Sequence, residues 1–265
     1  MKKLAVLFLV VVMGASAFTG CQKKSSGLTM TPGVLTIGME IGYPPMEYFD
    51  ADGKTPIGFD VEMGKAVAAK MGLEPKFVDT AWDGIFDGVT TNKYDCIMSS
   101  VTINEARLKA HNFSKPYIQN TLAIVLPKDS PRTINSPQDL TGLSVAYQEE
   151  TTSDDFMTNL AEQGMQFTPR EYDKVMYCFD ELKLGRVDVI MTDLLVAYEY
   201  VGRADSPFKI VWTGGEEEFG ICMRKGNDAL TAAINKALDE LFADGTMLKI
   251  SQKIFGMDLV SAVRK

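Results

Sequence analysis

The sequence predicts an α/β fold of two lobes, each a mainly parallel sheet flanked by helices. Two observations carry this reading. Short apolar runs of strand length alternate with stretches of helical periodicity along most of the chain, the pattern of a parallel sheet with helices on its faces. One local unit also occurs twice, as Tyr94-Asp95-Cys96-Ile97-Met98-Ser99-Ser100 and as Val187-Asp188-Val189-Ile190-Met191-Thr192-Asp193. Each copy is a tight turn, an acidic residue, an apolar strand and then polar residues at the strand's carboxyl end. Ligands of open α/β sheets bind just beyond those ends, so two such units imply two lobes whose polar strand ends face one cleft.

The chain opens with Lys2 and Lys3, an apolar run from Leu4 to Met13 and the small residues Gly14-Ala15-Ser16-Ala17. A charged start, a short apolar core and a small-residue exit are the pattern of a secretory signal, assigned to residues 1–20. The run is shorter than the ~20 apolar residues a membrane-spanning helix requires. Phe18-Thr19-Gly20-Cys21 resembles a bacterial lipobox, with Phe18 standing where Leu is usual, and implies lipidation of Cys21. Cleavage after Ala17, leaving Cys21 a free thiol, is the competing reading. Residues 21–33, with Lys23-Lys24-Ser25-Ser26-Gly27, then form a polar tether to the membrane.

The body starts with a strand at Val34 to Met39, and a turn follows at Tyr43-Pro44-Pro45. A helix is expected from about Asp60, which can cap its first turn. Phe59, Met63, Val67 and Met71 recur at helical spacing, and Gly72 stops it. A strand at Glu74 to Val78, a short helix after Trp82 and a strand at Tyr94 to Met98 complete the first unit. The grammar returns with a strand at Leu143 to Tyr147, a helix opening at Thr152 or Ser153, a helix around Tyr177 to Leu184 ended by Gly185, a strand at Val187 to Met191 and a helix from Leu194. An amphipathic helix, Leu230 to Phe242, closes the chain and is expected to return to the first lobe. Lobe 1 is therefore discontinuous, residues 34–120 and 217–265, and lobe 2 is 121–216. Hinge crossings are expected near Gln119 to Thr121 and Gly214 to Glu218.

The formal net charge of −8, with no basic tract, argues against nucleic-acid and anionic-lipid partners. Cys96 and Cys222 sit in apolar runs and read as buried thiols, while a disulfide from Cys178 stays open. The single histidine, His111, reads as a surface residue, and neither a metal nor a cofactor is expected. Nucleophile-elbow, P-loop and zinc patterns are absent from the sequence.

Ordered motifs from Val34 to Gly256 resemble the polar amino-acid-binding proteins of bacterial ABC importers, family 3 of the periplasmic solute-binding proteins. They are Tyr43-Pro44-Pro45-Met46-Glu47-Tyr48, Gly58-Phe59-Asp60-Val61, Trp82-Asp83-Gly84, Lys93-Tyr94-Asp95, Ser99 to Arg107, Phe113-Ser114-Lys115-Pro116-Tyr117, Asp139-Leu140-Thr141-Gly142, Thr151-Thr152-Ser153, Gly185-Arg186-Val187-Asp188 and Ala243-Asp244-Gly245-Thr246. The resemblance implies the type II two-lobed periplasmic-binding fold and a receptor that is not an enzyme. Arg107 matches the arginine that grips the ligand α-carboxylate, a task suited to a planar fork of donors. Ser100 and Thr102 match added contacts to that carboxylate, and Thr152 a donor from the second lobe at a helix start. Asp193 matches the acceptor of the α-ammonium, which Ser99 can share. Tyr43 and Trp82 match the aromatic pair that sandwiches the ligand side chain. Two departures stand out. Glu150 occupies a position where Gly is common, and Asn104 replaces the usual Thr at a helix start, where it caps equally well.

Glu40 lies where relatives of cationic or polar specificity carry an acid, and no basic residue occurs between Val34 and Phe49. A basic or polar amino acid such as arginine or lysine is therefore expected, with Glu40 turned to solvent as the alternative. The partners implied are the free amino acid, the permease subunits of an ABC importer and the membrane through its lipid anchor, with the protein itself a monomer outside the cytoplasm. Two other classes compete. A periplasmic dehydratase of cyclohexadienyl substrates shares the fold and would draft Asp193 or Glu40 as its acid, and a sensory module would present its closed form to a receptor.

Overall fold

The computed structural model describes residues 27–264, so the signal segment and Cys21 lie outside the described residues. From the start, β1 (Val34–Met39) leads through β2 (Tyr48–Phe49) and β3 (Pro56–Ile57), which pair with each other, into α1 (Phe59–Lys70) and β4 (Glu74–Asp79). A 3₁₀ turn (Trp82–Gly84) runs into α2 (Ile85–Thr90), followed by β5 (Cys96–Ile97), α3 (Glu105–Ala110) and β6 (His111–Phe113). The chain then builds β7 (Ile118–Pro127), β8 (Ser144–Gln148), α4 (Thr152–Glu162), β9 (Thr168–Tyr172), α5 (Val175–Lys183), β10 (Val189–Asp193), α6 (Leu194–Val201) and β11 (Phe208–Phe219). It ends with β12 (Cys222–Arg224), α7 (Asp228–Ala243) and α8 (Thr246–Phe255).

Two five-stranded sheets result, ordered β4-β1-β5-β12-β6 and β11-β7-β10-β8-β9. The parallel pairs expected from strand–helix alternation are β4-β1-β5 in one sheet and β10-β8-β9 in the other. Antiparallel pairs complete both, because β7, β11 and β12 are laid down as the chain passes between sheets. Residues of each strand alternate between two apolar layers. Cys96 faces a layer with α1, α7 and α8, whereas its neighbour Ile97 packs with Trp82, Ile85, Val89 and Tyr94. The second sheet is covered on its two faces by separate clusters around Met157 and Phe179.

Several local expectations are corrected. Gly58, and not Asp60, stands at the N-cap of α1, with a φ of 124° that L side chains rarely adopt. A β-carbon there would run into the carbonyl of Met46. Asp60 is freed to turn inward. Helix α4 opens at Thr152, one of the two starts expected, and Thr151 caps it, its hydroxyl accepting from Asp154 N. His111 is buried, its ring 5.3 Å from that of Phe86, because β6 places it under α2. Cys178 is free and buried, like Cys96 and Cys222. Helix α8 was not foreseen; Gly245, read as a stop, takes a left-handed conformation and turns the chain from α7 into it. At the segments expected to carry the hinge crossings, β7 and β11 pair, with Glu217 opposite Asn120 and Glu218 opposite Gln119. Among the described residues, no helix is long and apolar enough to cross a membrane.

Candidate functional site

Between the two sheets lies a cavity of about 310 Å³, and every residue expected at the site lines it. Glu40, Tyr43, Trp82, Ser99, Ser100, Thr102 and Arg107 come from the first sheet and its helices. Thr152 and Asp193 come from the second, at the start of α4 and the carboxyl end of β10. Three further lining residues, Glu47, Gln148 and Thr151, were not foreseen.

At one end stands Arg107 on α3. Asn104 caps that helix, its Oδ1 accepting from Arg107 N at 2.8 Å, as expected of an Asn there. The guanidinium donates to Thr102 O at 3.1 Å and lies 5.6 Å from the Trp82 ring centroid and 5.1 Å from that of Phe86. Among the described residues no carboxylate lies within ion-pair distance of it. Burial lowers its pKa. Next to it, Ser100 has a φ of 50°, and its N–H donates to Asp60 Oδ2 at 2.7 Å. Its amide is thus committed, while its buried hydroxyl has no partner.

Asp193 occupies the other side. Its Oδ2 accepts from Tyr43 O–H at 2.6 Å and its Oδ1 from Asn120 Nδ2 at 2.7 Å. Asn120 also donates to Glu217 Oε2 at 3.0 Å, so a second carboxyl stands behind the first. Burial, and then Glu217, push Asp193 up to about 7. The cavity therefore holds a cation without an ion-pair partner and a carboxyl bonded only by neutral donors, an arrangement with the charges to match a zwitterion.

The third side carries acids. Glu40 Oε2 accepts from Gln148 Nε2 at 2.8 Å, a bond that joins β1 to β8 across the cleft. Glu40 is only 3% exposed, which discards the alternative of a solvent-facing side chain. Burial raises its pKa to about 7. Ser99 Oγ accepts from Glu40 N at 3.0 Å and donates to Glu47 Oε1 at 2.6 Å. Across the rim, Trp82 Nε1 donates to the carbonyl of Glu150 at 3.0 Å. Glu150 holds a φ of 57°, the left-handed conformation that a Gly would adopt without strain.

Of the residues missed, Gln148 was within reach of the rule that found Ser99 and Asp193, since it too ends a strand on the cleft side. Glu47 sits inside a quoted motif but gives no sign of burial. Glu217 belongs to the Glu216-Glu217-Glu218 run, which reads as a solvated face until β11 pairs with β7.

The family model for bacterial extracellular solute-binding proteins, family 3, matches residues 35–257. The L-cystine-binding protein TcyJ of Escherichia coli (strain K12) is 30% identical over 257 residues, which cover 97% of this chain and 95% of that protein. A solved ancestral arginine-binding protein bound to arginine superposes with a TM-score of 0.80 at 38% identity, over 84% of this chain and 98% of that one. A second solved structure, the ancestral amino acid-binding protein AncCDT-1, a precursor of cyclohexadienyl dehydratase, gives a TM-score of 0.79 at 33% identity, over 84% of this chain and 96% of that one. With the model match spanning nearly the whole described body, this chain belongs to the bacterial extracellular solute-binding proteins of family 3.

Proposed function

We propose that this protein is the extracytoplasmic receptor of an ABC importer, which closes its lobes on one free amino acid with a cationic side chain and hands it to the permease. One observation supports this above all: Arg107 and Asp193 face one cavity from opposite sheets, each without a protein counter-charge. A ligand bringing both a carboxylate and an ammonium satisfies both, so closure is linked to having both charges. Ser100 Oγ, Thr102 and Thr152 add donors for the carboxylate. Tyr43 and Trp82 flank the side chain, and Glu40 accepts its positive end. Lobe 1 (34–120 and 217–265) and lobe 2 (121–216) hinge about the β7–β11 ribbon. Secretion and anchoring through Cys21, in place of a release after Ala17, complete the proposal, with the protein acting as a monomer.

Calorimetry of the protein, unfolded and refolded to strip carried-over ligand, tests this against the twenty amino acids and cystine. Arginine or lysine is expected to bind, and Arg107→Ala to weaken binding by about 100-fold or more, the loss of a charge-assisted bidentate pair. Tight binding of cystine alone would replace the cationic assignment, and silence across the panel would sink the receptor reading. Turnover of arogenate would move the dehydratase reading ahead. Mass spectrometry of the membrane fraction checks the anchor, since Cys21→Ser should release the protein.

A further inference from the structure

Under the acidic side of the cavity, two carboxyl groups face each other with one oxygen apiece to spare. Glu47 Oε1 accepts from Ser99 Oγ at 2.6 Å. Asp60 Oδ2 accepts from Ser100 N at 2.7 Å and from Tyr117 O–H at 3.0 Å. The remaining oxygens, Glu47 Oε2 and Asp60 Oδ1, are buried without a hydrogen-bond partner among the described residues. The two carboxyls act on each other at close range, and two adjoining carboxyls taken out of water do not both ionise. The ionisable groups facing Glu47 include Asp60, Glu40 and Tyr117, and those facing Asp60 include Glu47 and Tyr117, all of them acids. Lys174 acts on Glu40, where Asp79 and Asp173 oppose it.

Holding Ser99 and Ser100 in place would need no acid at position 47, since an amide could accept the same bond. What separates Glu47 from its purely buried partner is that it also lines the ligand cavity, beside Glu40. We propose that Glu47 determines specificity: it shares a proton with Asp60 while no cation is present, and releases that proton when a cationic ligand side chain enters beside Glu40. The O–H bond of the pair breaks, the proton passes to water or buffer, and the ligand's N–H groups become the donors to the carboxylate left behind. A neutral side chain leaves the proton where it was. This rests on the amino-acid-receptor reading given above and names how that site selects charge.

Two measurements test it. Infrared spectra of the ligand-free protein should contain a protonated-carboxyl component that arginine removes, that Glu40→Gln keeps and that Glu47→Gln lacks. Calorimetry in buffers of different ionisation enthalpy should count about one proton more released by arginine from the unaltered protein than from Glu47→Gln. Glutamine should release equal numbers from both. The amide of Glu47→Gln can still donate to Asp60, so the fold should hold. Asp60→Asn, which offers Glu47 a donor of its own, should remove the same component and guards against a misfolded first variant. The component persisting in both variants, or equal proton counts with arginine, would overturn the proposal. Failure of every amino acid to bind would overturn the receptor reading and with it the ligand role of Glu47, while the infrared component would still decide whether the proton is shared.

Discussion

Glu40 shows how burying a single carboxyl makes stability depend on pH. Its pKa rises from 4.5 to about 7 mainly through burial, so the folded protein holds this proton more tightly than the unfolded chain does. The contribution is complete below about pH 4.5 and is lost as pH rises through 7. Asp60 and Asp193, both raised to about 7, act in the same direction. The ligand-free protein should therefore melt at a lower temperature at pH 7.5 than at pH 5. Glu40→Gln should remove up to about 3 kcal/mol of that loss. An identical pH profile for the variant would show that the carboxyl does not titrate in this window. The same substitution should weaken arginine binding while sparing glutamine. This acid was legible in the sequence from its position before Tyr43. Its bond to Gln148 was not, because the two lie 108 positions apart.

At the scale of elements, the site depends on α2 seating its 3₁₀ turn, since Trp82 hangs from that turn. Gly88 and Gly38 leave room for the Tyr94 ring, whose hydroxyl donates to Ile85 O at 2.5 Å. A β-carbon at Gly88 would overlap the phenol. Gly88→Ala should cost roughly 1–3 kcal/mol by overpacking, read from the urea midpoint, and should weaken ligand binding as Trp82 shifts. An unchanged midpoint would mean that Tyr94 relocates freely. Most elements of the body were readable from apolar periodicity, α1 and β1 among them. The long strands β7 and β11 were not: Gln119 to Thr121 and Gly214 to Glu218 carry polar residues that look like linkers until each strand supplies the other's hydrogen-bond partners.

For the molecule as a whole, the bonds that tie the lobes together include Glu40 to Gln148, Tyr43 to Asp193 and Trp82 to Glu150 across the cleft. They hold the two sheets together across the cavity, and the paired strands β7 and β11 run between them. Gln148→Ala should leave the ligand-free protein more open, with a larger radius of gyration by small-angle scattering and a several-fold weaker affinity, expressed mainly in the dissociation rate. Equal scattering curves for the variant and the unaltered protein would show that this bond does not hold the lobes.

By itself the sequence determined the two-lobed α/β plan, the paired strand ends and the identity of Arg107, Asp193, Tyr43 and Trp82 as cleft residues, because periodicity and short ordered motifs are local properties. Only the tertiary structure decided which acids are buried. Glu47, Asp60 and Glu217 look like ordinary surface carboxyls in a chain of net charge −8. Folding takes each out of water and sets it beside another acid, and desolvation and proximity, not composition, make them proton-holding groups.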